Sequence, residues 1–176
     1  MKQLTNYAIV LTSLCLYLGS CKHGDEKSVL KTRVDSIETV LYKTAATAPV
    51  NAVAGEAAMQ AYINYSNKFP KDSISADYVF KAAEVASAIK QSKTAVEYFD
   101  RFLKNYPTHA KAATALFLKA FILENDLNSY GMATATYQQV IAKYPNTTYA
   151  RDAEACIQNM GKPVEELIKE FEKKNK

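Results

Sequence analysis

Apolar residues recur at helical spacing near the start of the chain. Leu30, Val34, Ile37 and Leu41 are separated by four, three and four residues, and the positions between them are mostly polar. A stripe of this kind covers one face of a helix, so the pattern predicts an amphipathic helix from about Glu26 to Thr44. Two heptads are too few to identify a coiled coil. Two alternatives therefore stay open: the stripe packs on its own domain, or it joins copies of the chain in a homo-oligomer.

The segment after this helix, residues 44–55, is rich in small residues and contains Pro49, which predicts a linker. Helical patterning then continues to the end of the chain, with polar N-cap residues and prolines at the breaks. The predicted helices cover about 56–69, 73–90, 93–105, 109–125, 129–143, 147–160 and 163–174. The residues placed where caps are needed are Asp72 or Ser73, Ser92, Thr108, Asn146 or Thr147, and, at a helix end, Gly161.

The helical region repeats itself. An aromatic residue precedes proline at 69–70, 106–107 and 144–145, so the prolines are 37 and 38 residues apart. An aromatic residue also stands eight positions before each proline, and an alanine stands twelve positions before it. A fixed period of this size with helical patterning indicates an α-solenoid. The residues that define the period are Ala58, Tyr62, Pro70, Ala95, Phe99, Pro107, Ala133, Tyr137 and Pro145.

These spacings resemble the tetratricopeptide repeat (TPR) family, over residues 56–160. The family pattern begins with a small residue twelve positions before the alanine; Ala83 fits it without a gap, and Ala120 fits with one inserted residue. Val79 and Leu116 replace the bulky aromatic residue that the family has early in each repeat. The resemblance implies an all-α fold, an α-solenoid of TPR-type antiparallel helix pairs, with about seven helices after the N-terminal amphipathic helix.

The first twenty residues resemble a bacterial lipoprotein signal. Lys2 precedes an apolar stretch from Tyr7 to Leu18 that is too short to span a bilayer, and Leu18-Gly19-Ser20-Cys21 matches the lipobox pattern. The resemblance implies cleavage before Cys21, lipidation of its thiol with fatty acids such as palmitate, and a membrane anchor in the cell envelope. In lipoprotein systems where an Asp after the lipidated Cys retains the protein at the inner membrane, the resemblance implies that Lys22 permits sorting to the outer membrane.

Three segments follow from these patterns. Residues 1–20 form the signal peptide, and residues 21–55 hold the lipid anchor, a short flexible tether at His23-Gly24-Asp25, the amphipathic helix and the linker. Residues 56–176 form the TPR-like solenoid with a C-terminal capping helix.

Composition argues against catalysis and nucleic-acid binding. The 22 basic and 18 acidic residues give a net charge of +4, far below the concentrated charge of nucleic-acid binders. The sequence has two histidines, and none of the phosphate-loop, zinc or nucleophile motifs occurs. Cys156 lies at a packed helix position and fits a small buried side chain better than a nucleophile. We predict no catalytic residue, no metal site and no cofactor.

The resemblance implies a binding surface on the first helix of each pair. The Lys and Asn positions with which many TPR proteins clamp a C-terminal carboxylate hold Phe80, Phe117, Glu84 and Phe121 here, so that clamp is absent. The mixed polar and apolar surface that remains favours a protein partner or peptide segment. The candidate binding residues are Asp77, Lys81, Glu84, Thr114, Leu118 and Phe121.

Three functional hypotheses follow. The leading one is a non-catalytic, lipid-anchored adaptor of the bacterial envelope, similar to the BamD-like repeat lipoproteins that help assemble outer-membrane barrels. The second is an oligomeric coordinator of envelope constriction, similar to the Tol-Pal-associated lipoprotein, with Leu30, Val34, Ile37 and Leu41 at the interface. The third is accessory capture of glycans.

The lipobox generates a direct prediction. Replacing Cys21 with Ala removes the thiol that accepts the lipid, so we expect incorporation of labelled fatty acid into the protein to be lost. Cys15→Ala is the matched control and keeps the label. Persistent labelling of the Cys21→Ala protein would show that the lipobox interpretation is wrong.

Overall fold

The structure, a computed structural model, describes residues 21–45 and 49–174; the predicted signal peptide lies outside these residues. The described residues form eight helices and no strand. The helices are α1 (Cys21–Ala45), α2 (Ala52–Lys68), α3 (Ser75–Ala88), α4 (Ser92–Asn105), α5 (Ala112–Asn125), α6 (Tyr130–Lys143), α7 (Thr148–Asn159) and α8 (Val164–Lys174). Each helix from α1 to α6 packs on its successor along the chain, and α5 also contacts α7.

The predicted fold class is therefore confirmed: α1 is followed by seven helices in a TPR-like solenoid. Ala58, Ala83, Ala95, Ala120 and Ala133 are fully buried, which allows neighbouring helices to approach closely. The large aromatic side chains that fill the space beside them are equally buried, and they are Tyr62, Phe99 and Tyr137.

The aromatic–proline pairs end the second helix of each pair. The backbone N–H groups of Phe69, Tyr106 and Tyr144 donate to carbonyls four residues earlier, at 2.8–2.9 Å. Each proline that follows is exposed and lacks an N–H, so the helix cannot continue through it. These residues, Pro70, Pro107 and Pro145, begin the turns to the next helix.

The apolar stripe of α1 packs on the domain itself. Val34 and Leu41 are buried in the main core, and Leu30 and Ile37 are half-buried against it. The helix thus takes the place of the first member of a pair with α2. The structure favours the intramolecular alternative, because an oligomer through this stripe would require α1 to leave α2.

The helix α1 also begins earlier than predicted. It starts at Cys21, so the flexible tether predicted at His23-Gly24-Asp25 is wrong and these residues are helical. Two ion pairs join the following turn to the repeat domain: Lys68 of α2 lies 2.7 Å from Glu26, and Lys27 contacts Asp72 in the α2–α3 turn. The N-terminal turns of α1 are therefore held against the repeat domain.

The linker prediction needs a similar correction, because α2 begins at Ala52 and the last four residues of 44–55 are helical. The side-chain oxygen of Asn51 caps the helix by accepting from the N–H groups of Val53 and Ala54, at 2.9 and 3.3 Å. Gly55 then faces α3 at close range. A Cβ at this position would lie 2.6 Å from Cγ2 of Ile89, so only glycine fits there without displacement.

Turns replace several predicted N-caps. Ser92 is the first residue of α4, and its hydroxyl donates to Asp126 at 2.8 Å instead of capping. Thr108 lies in a turn, because α5 begins at Ala112. Thr147 does stand at the N-cap of α7, but its hydroxyl donates to the Tyr144 carbonyl at 2.7 Å. Gly161 follows α7 with φ at +74°, which confirms the predicted glycine stop.

Burial of the repeat aromatics predicts large effects on stability. Phe99→Ala and Tyr137→Ala each remove a fully buried ring, so we expect a loss of about 3–5 kcal/mol in the free energy of unfolding, measured by denaturant titration. Tyr130→Ala, at an exposed position of α6, should cost below about 0.5 kcal/mol. A loss of less than about 1 kcal/mol for either buried ring would contradict the packing described above.

The contact of α1 with Asp72 predicts a pH dependence. The hydrogen bond from Lys27, aided by those from the Ile74 N–H and the Tyr65 hydroxyl, lowers the pKa of Asp72 from 3.8 to about 2, although burial opposes the shift. A lowered pKa stabilises the fold above the unfolded value, so this contribution is present above about pH 4 and is lost towards pH 2.

We therefore expect Asp72→Asn to lose about 1–2 kcal/mol at neutral pH and to unfold with a weaker pH dependence between pH 4 and 2. Asp35→Asn, which removes an exposed pair with Lys31 on the same helix, should cost below about 0.5 kcal/mol. Parallel stability curves for the wild-type and Asp72→Asn proteins across this pH range would contradict the assignment.

Candidate partner-binding surface

The first helices of the successive pairs, α1, α3, α5 and α7, form a row that we call the first-helix row. Three polar contacts link its neighbours. Glu38 of α1 binds Lys81 of α3 at 2.7 Å, and Asp77 of α3 binds Lys111 at the start of α5 at 2.8 Å. The Thr114 hydroxyl of α5 donates to the Tyr149 hydroxyl of α7 at 3.0 Å.

The contact between α1 and α3 is the most elaborate of the three. Glu38 Oε1 accepts both from Lys81 Nζ and, at 2.8 Å, from the hydroxyl of the buried Tyr62. Lys81 Nζ also lies 5.9 Å from the ring centroids of Tyr62 and Tyr78. Burial acts to lower the pKa of Lys81, but the hydrogen bond and charge of Glu38 give a net rise. Lys81 is thus charged and links α3 to α1.

The contact between α3 and α5 has a similar form. Lys111 Nζ binds Asp77 and lies 5.0 Å from the ring centroid of Phe80. Glu84, one turn from Lys81, is exposed at the surface of the row. Desolvation by its surroundings raises the pKa of Glu84, although the positive charges of Lys111 and Lys81 oppose the rise. Glu84 is therefore an accessible carboxyl group near Lys81 and Lys111.

Aromatic packing dominates the α5 part of the row. Phe117 contacts Tyr149 and Tyr137, with ring centroids 5.4 and 5.6 Å apart. Phe121 stacks on Phe117 at 6.5 Å and is 46% exposed. The exposed ring is therefore the outer end of an aromatic cluster that reaches the core, which fixes its position at the surface.

The six predicted binding residues thus divide into two groups. Asp77, Lys81 and Thr114 bridge neighbouring helices, and Leu118 packs against the core. Glu84 and Phe121 follow the equivalent alanines 83 and 120, and both remain open to a partner.

An aromatic residue of α1 joins the same surface, although it is not among the six candidates. Tyr42 is exposed, and its hydroxyl lies close enough to that of Tyr62 to raise the pKa of Tyr62, to which burial and Glu38 contribute more. No repeat position marks Tyr42 in the sequence. Only the position of α1 in the first-helix row shows that Tyr42 lies on this surface.

The described residues contain no group of side chains that could hold a metal ion. Burial raises the pKa of the Cys156 thiol, with the hydrogen bond to Tyr137 acting in the opposite direction. A raised thiol pKa disfavours the reactive thiolate, which agrees with a packing role. Among the described helices, none has the length and apolar character needed to cross a bilayer.

A TPR-like solenoid with an accessible aromatic and acidic surface belongs to the class of helical-repeat binding proteins. The chain matches the YfiO family, described as outer membrane lipoprotein, over residues 34–165, which is more than half of its length. The chain therefore belongs to the YfiO family and is a lipid-anchored protein of the bacterial cell envelope. A comparison with curated proteins finds no significant match.

Proposed function

We propose that this protein is a non-catalytic adaptor that binds other envelope proteins during outer-membrane protein assembly. The observation that supports it most is the pairing of the family match with a rigid surface that keeps Glu84 and Phe121 exposed. Polar contacts between neighbouring helices of the row hold this surface in place. A partner therefore binds a preformed surface, and little ordering is required of the adaptor.

The exposed residues define the chemistry of the partner. Phe121 offers an aromatic face at the end of a packed cluster, and Glu84 offers a carboxylate at the equivalent position of the neighbouring helix. A helical or extended segment with an apolar anchor and a basic residue nearby complements both groups. Asp77, Lys81 and Thr114 join the neighbouring helices of this surface, and Leu118 packs against the core.

The anchor in this proposal is a lipid on Cys21, after removal of residues 1–20. Because Cys21 is the first residue of α1, only the helix itself separates the lipid from the repeat domain. At least two acyl chains are needed for stable attachment, and the diacyl modification implied by the lipobox would supply them.

Site-specific crosslinking in intact cells tests the binding surface. A photoreactive residue at Phe121 or Glu84 should capture the same envelope protein, because both positions lie on the first-helix row. Met132 is the matched control, since it is 59% exposed but lies on α6, outside that row. Equal capture of that protein from position 132, or none from 84 and 121, would contradict the proposed surface.

Affinity for the captured protein gives a second measure. We expect Phe121→Ala to weaken binding by about fivefold or more, because truncation of a central aromatic typically costs above about 1 kcal/mol. The Met132→Ala affinity should equal that of the wild type. Thermal unfolding shows whether Phe121→Ala acts through binding, since a half-exposed ring contributes little to stability. Unchanged affinity with an intact fold would remove Phe121 from the site.

A further inference from the structure

The alternation of helix direction brings four chain segments to one end of the solenoid. They are the start of α1 and the three turns that contain Pro70, Pro107 and Pro145; we call this the proline-loop end. Lys68 at the end of α2 binds Glu26 of α1 at 2.7 Å, and the Tyr106 hydroxyl donates to the Pro70 carbonyl at 3.3 Å. The other two turns meet at a groove of about 480 Å³, which is lined in part by Lys104, Pro107, Lys143 and Tyr144.

Charge is distributed unevenly between the two ends. The chain around the three proline turns, residues 66–74, 103–111 and 141–149, contains five lysines and one acidic residue, Asp72. The start of α1, residues 21–29, adds two lysines and two acidic residues, so the excess of lysines stays at four. The opposite turns and their flanks, residues 43–45, 49–57, 86–94, 123–131 and 158–166, contain four lysines and five acidic residues. Although the net charge is only +4, the excess of positive charge is therefore concentrated at the proline-loop end.

Internal ion pairs occupy part of the basic end but leave three lysines. Lys68 binds Glu26, Lys111 binds Asp77, and Lys27 binds the acidic Asp72. The remaining lysines, Lys71, Lys104 and Lys143, are exposed and form no ion pair with another described residue.

We propose that the proline-loop end lies on the membrane, where Lys71, Lys104 and Lys143 bind the headgroups of anionic phospholipids. The position of the anchor supports this orientation, because α1 starts at Cys21 at this end. Glu26 is five positions after Cys21 in the same helix, a rise of about 7.5 Å. That rise separates the lipidated residue from the first ion pair of α1 with the repeat domain, and it is comparable with the Debye length of about 8 Å at physiological ionic strength.

This orientation goes beyond the adaptor function and depends only on its lipid anchor. With the helix axes directed away from the bilayer, the first-helix row would face sideways, and Glu84 and Phe121 would be open to a partner in the same plane. Each lysine near an anionic surface strengthens binding about fivefold, so three give about 100-fold in the equilibrium between docked and undocked orientations.

The test uses the acylated full chain in vesicles of phosphatidylethanolamine with or without phosphatidylglycerol. In a Cys156→Ser background, a fluorophore is placed at Thr108→Cys on the proline-loop end or at Gly131→Cys on the opposite end. Both positions are exposed. Energy transfer to a headgroup-labelled lipid reports the distance of each end from the bilayer. We expect strong transfer from position 108 and weak transfer from 131 when phosphatidylglycerol is present.

Charge neutralisation gives the decisive comparison. The triple variant Lys71→Gln, Lys104→Gln, Lys143→Gln should shift the docking equilibrium about 100-fold and lower transfer from position 108. The matched variant Lys90→Gln, Lys93→Gln, Lys162→Gln, on the opposite end, should behave as the wild type. Thermal unfolding and fatty-acid labelling verify that every variant is folded and acylated.

Equal transfer from the two probes, or equal effects of the two triple variants, would overturn the proposal. Insensitivity of transfer to phosphatidylglycerol would do the same, because it would leave the lysines without an electrostatic role. Crosslinking from position 121 is read separately, so a failure of membrane docking is distinguishable from a failure of the adaptor surface. Loss of the acyl chain in the wild type would overturn the anchor and the orientation together.

Discussion

The structure depends on one packing constraint: each helix must approach its neighbours closely enough to bury a large aromatic ring. Alanine at the crossing points permits the approach, and Tyr62, Phe99 and Tyr137 fill the space that remains. At position 55, where α2 meets the end of α3, the approach is so close that a Cβ would overlap the side chain of Ile89. Since no single helix pair can bury both of its faces, the array is stable only as a stack, and α1 becomes part of that stack.

The same stacking decides which polar groups are available for binding. Asp77, Lys81 and Thr114 fit a recognition surface in the sequence, but the helices bring each of them to a partner in the neighbouring helix. The buried hydroxyls of Tyr62 and Tyr137 are satisfied by carboxylates of Glu38 and Glu124 at 2.8 Å. The polar groups between the helices therefore fix the geometry of the row, while Glu84 and Phe121 remain exposed.

The helix α1 connects membrane attachment with the repeat array. Its apolar stripe is short for a coiled coil but sufficient for one side of a helix pair, and its N-terminal turns are held by Lys68 and Asp72. In the proposed attachment, a lipid on Cys21 would be continuous with a packed helix and would constrain the orientation of the whole domain, which a flexible tether would leave free. The proposed anchor and the proposed binding surface thus lie on one helical array.

The sequence by itself determined the helical class, the repeat period and the core, because alanine, aromatic and proline positions report local packing and helix ends directly. It also located the helix end at Gly161. It could not decide whether the apolar stripe of α1 packs on its own domain or on another copy of the chain, since the same heptads suit both arrangements. Nor could it separate Lys81 from Glu84, because pairing with Glu38 joins residues 43 positions apart. Only the tertiary structure decides which of two similar surface residues finds a partner within the chain.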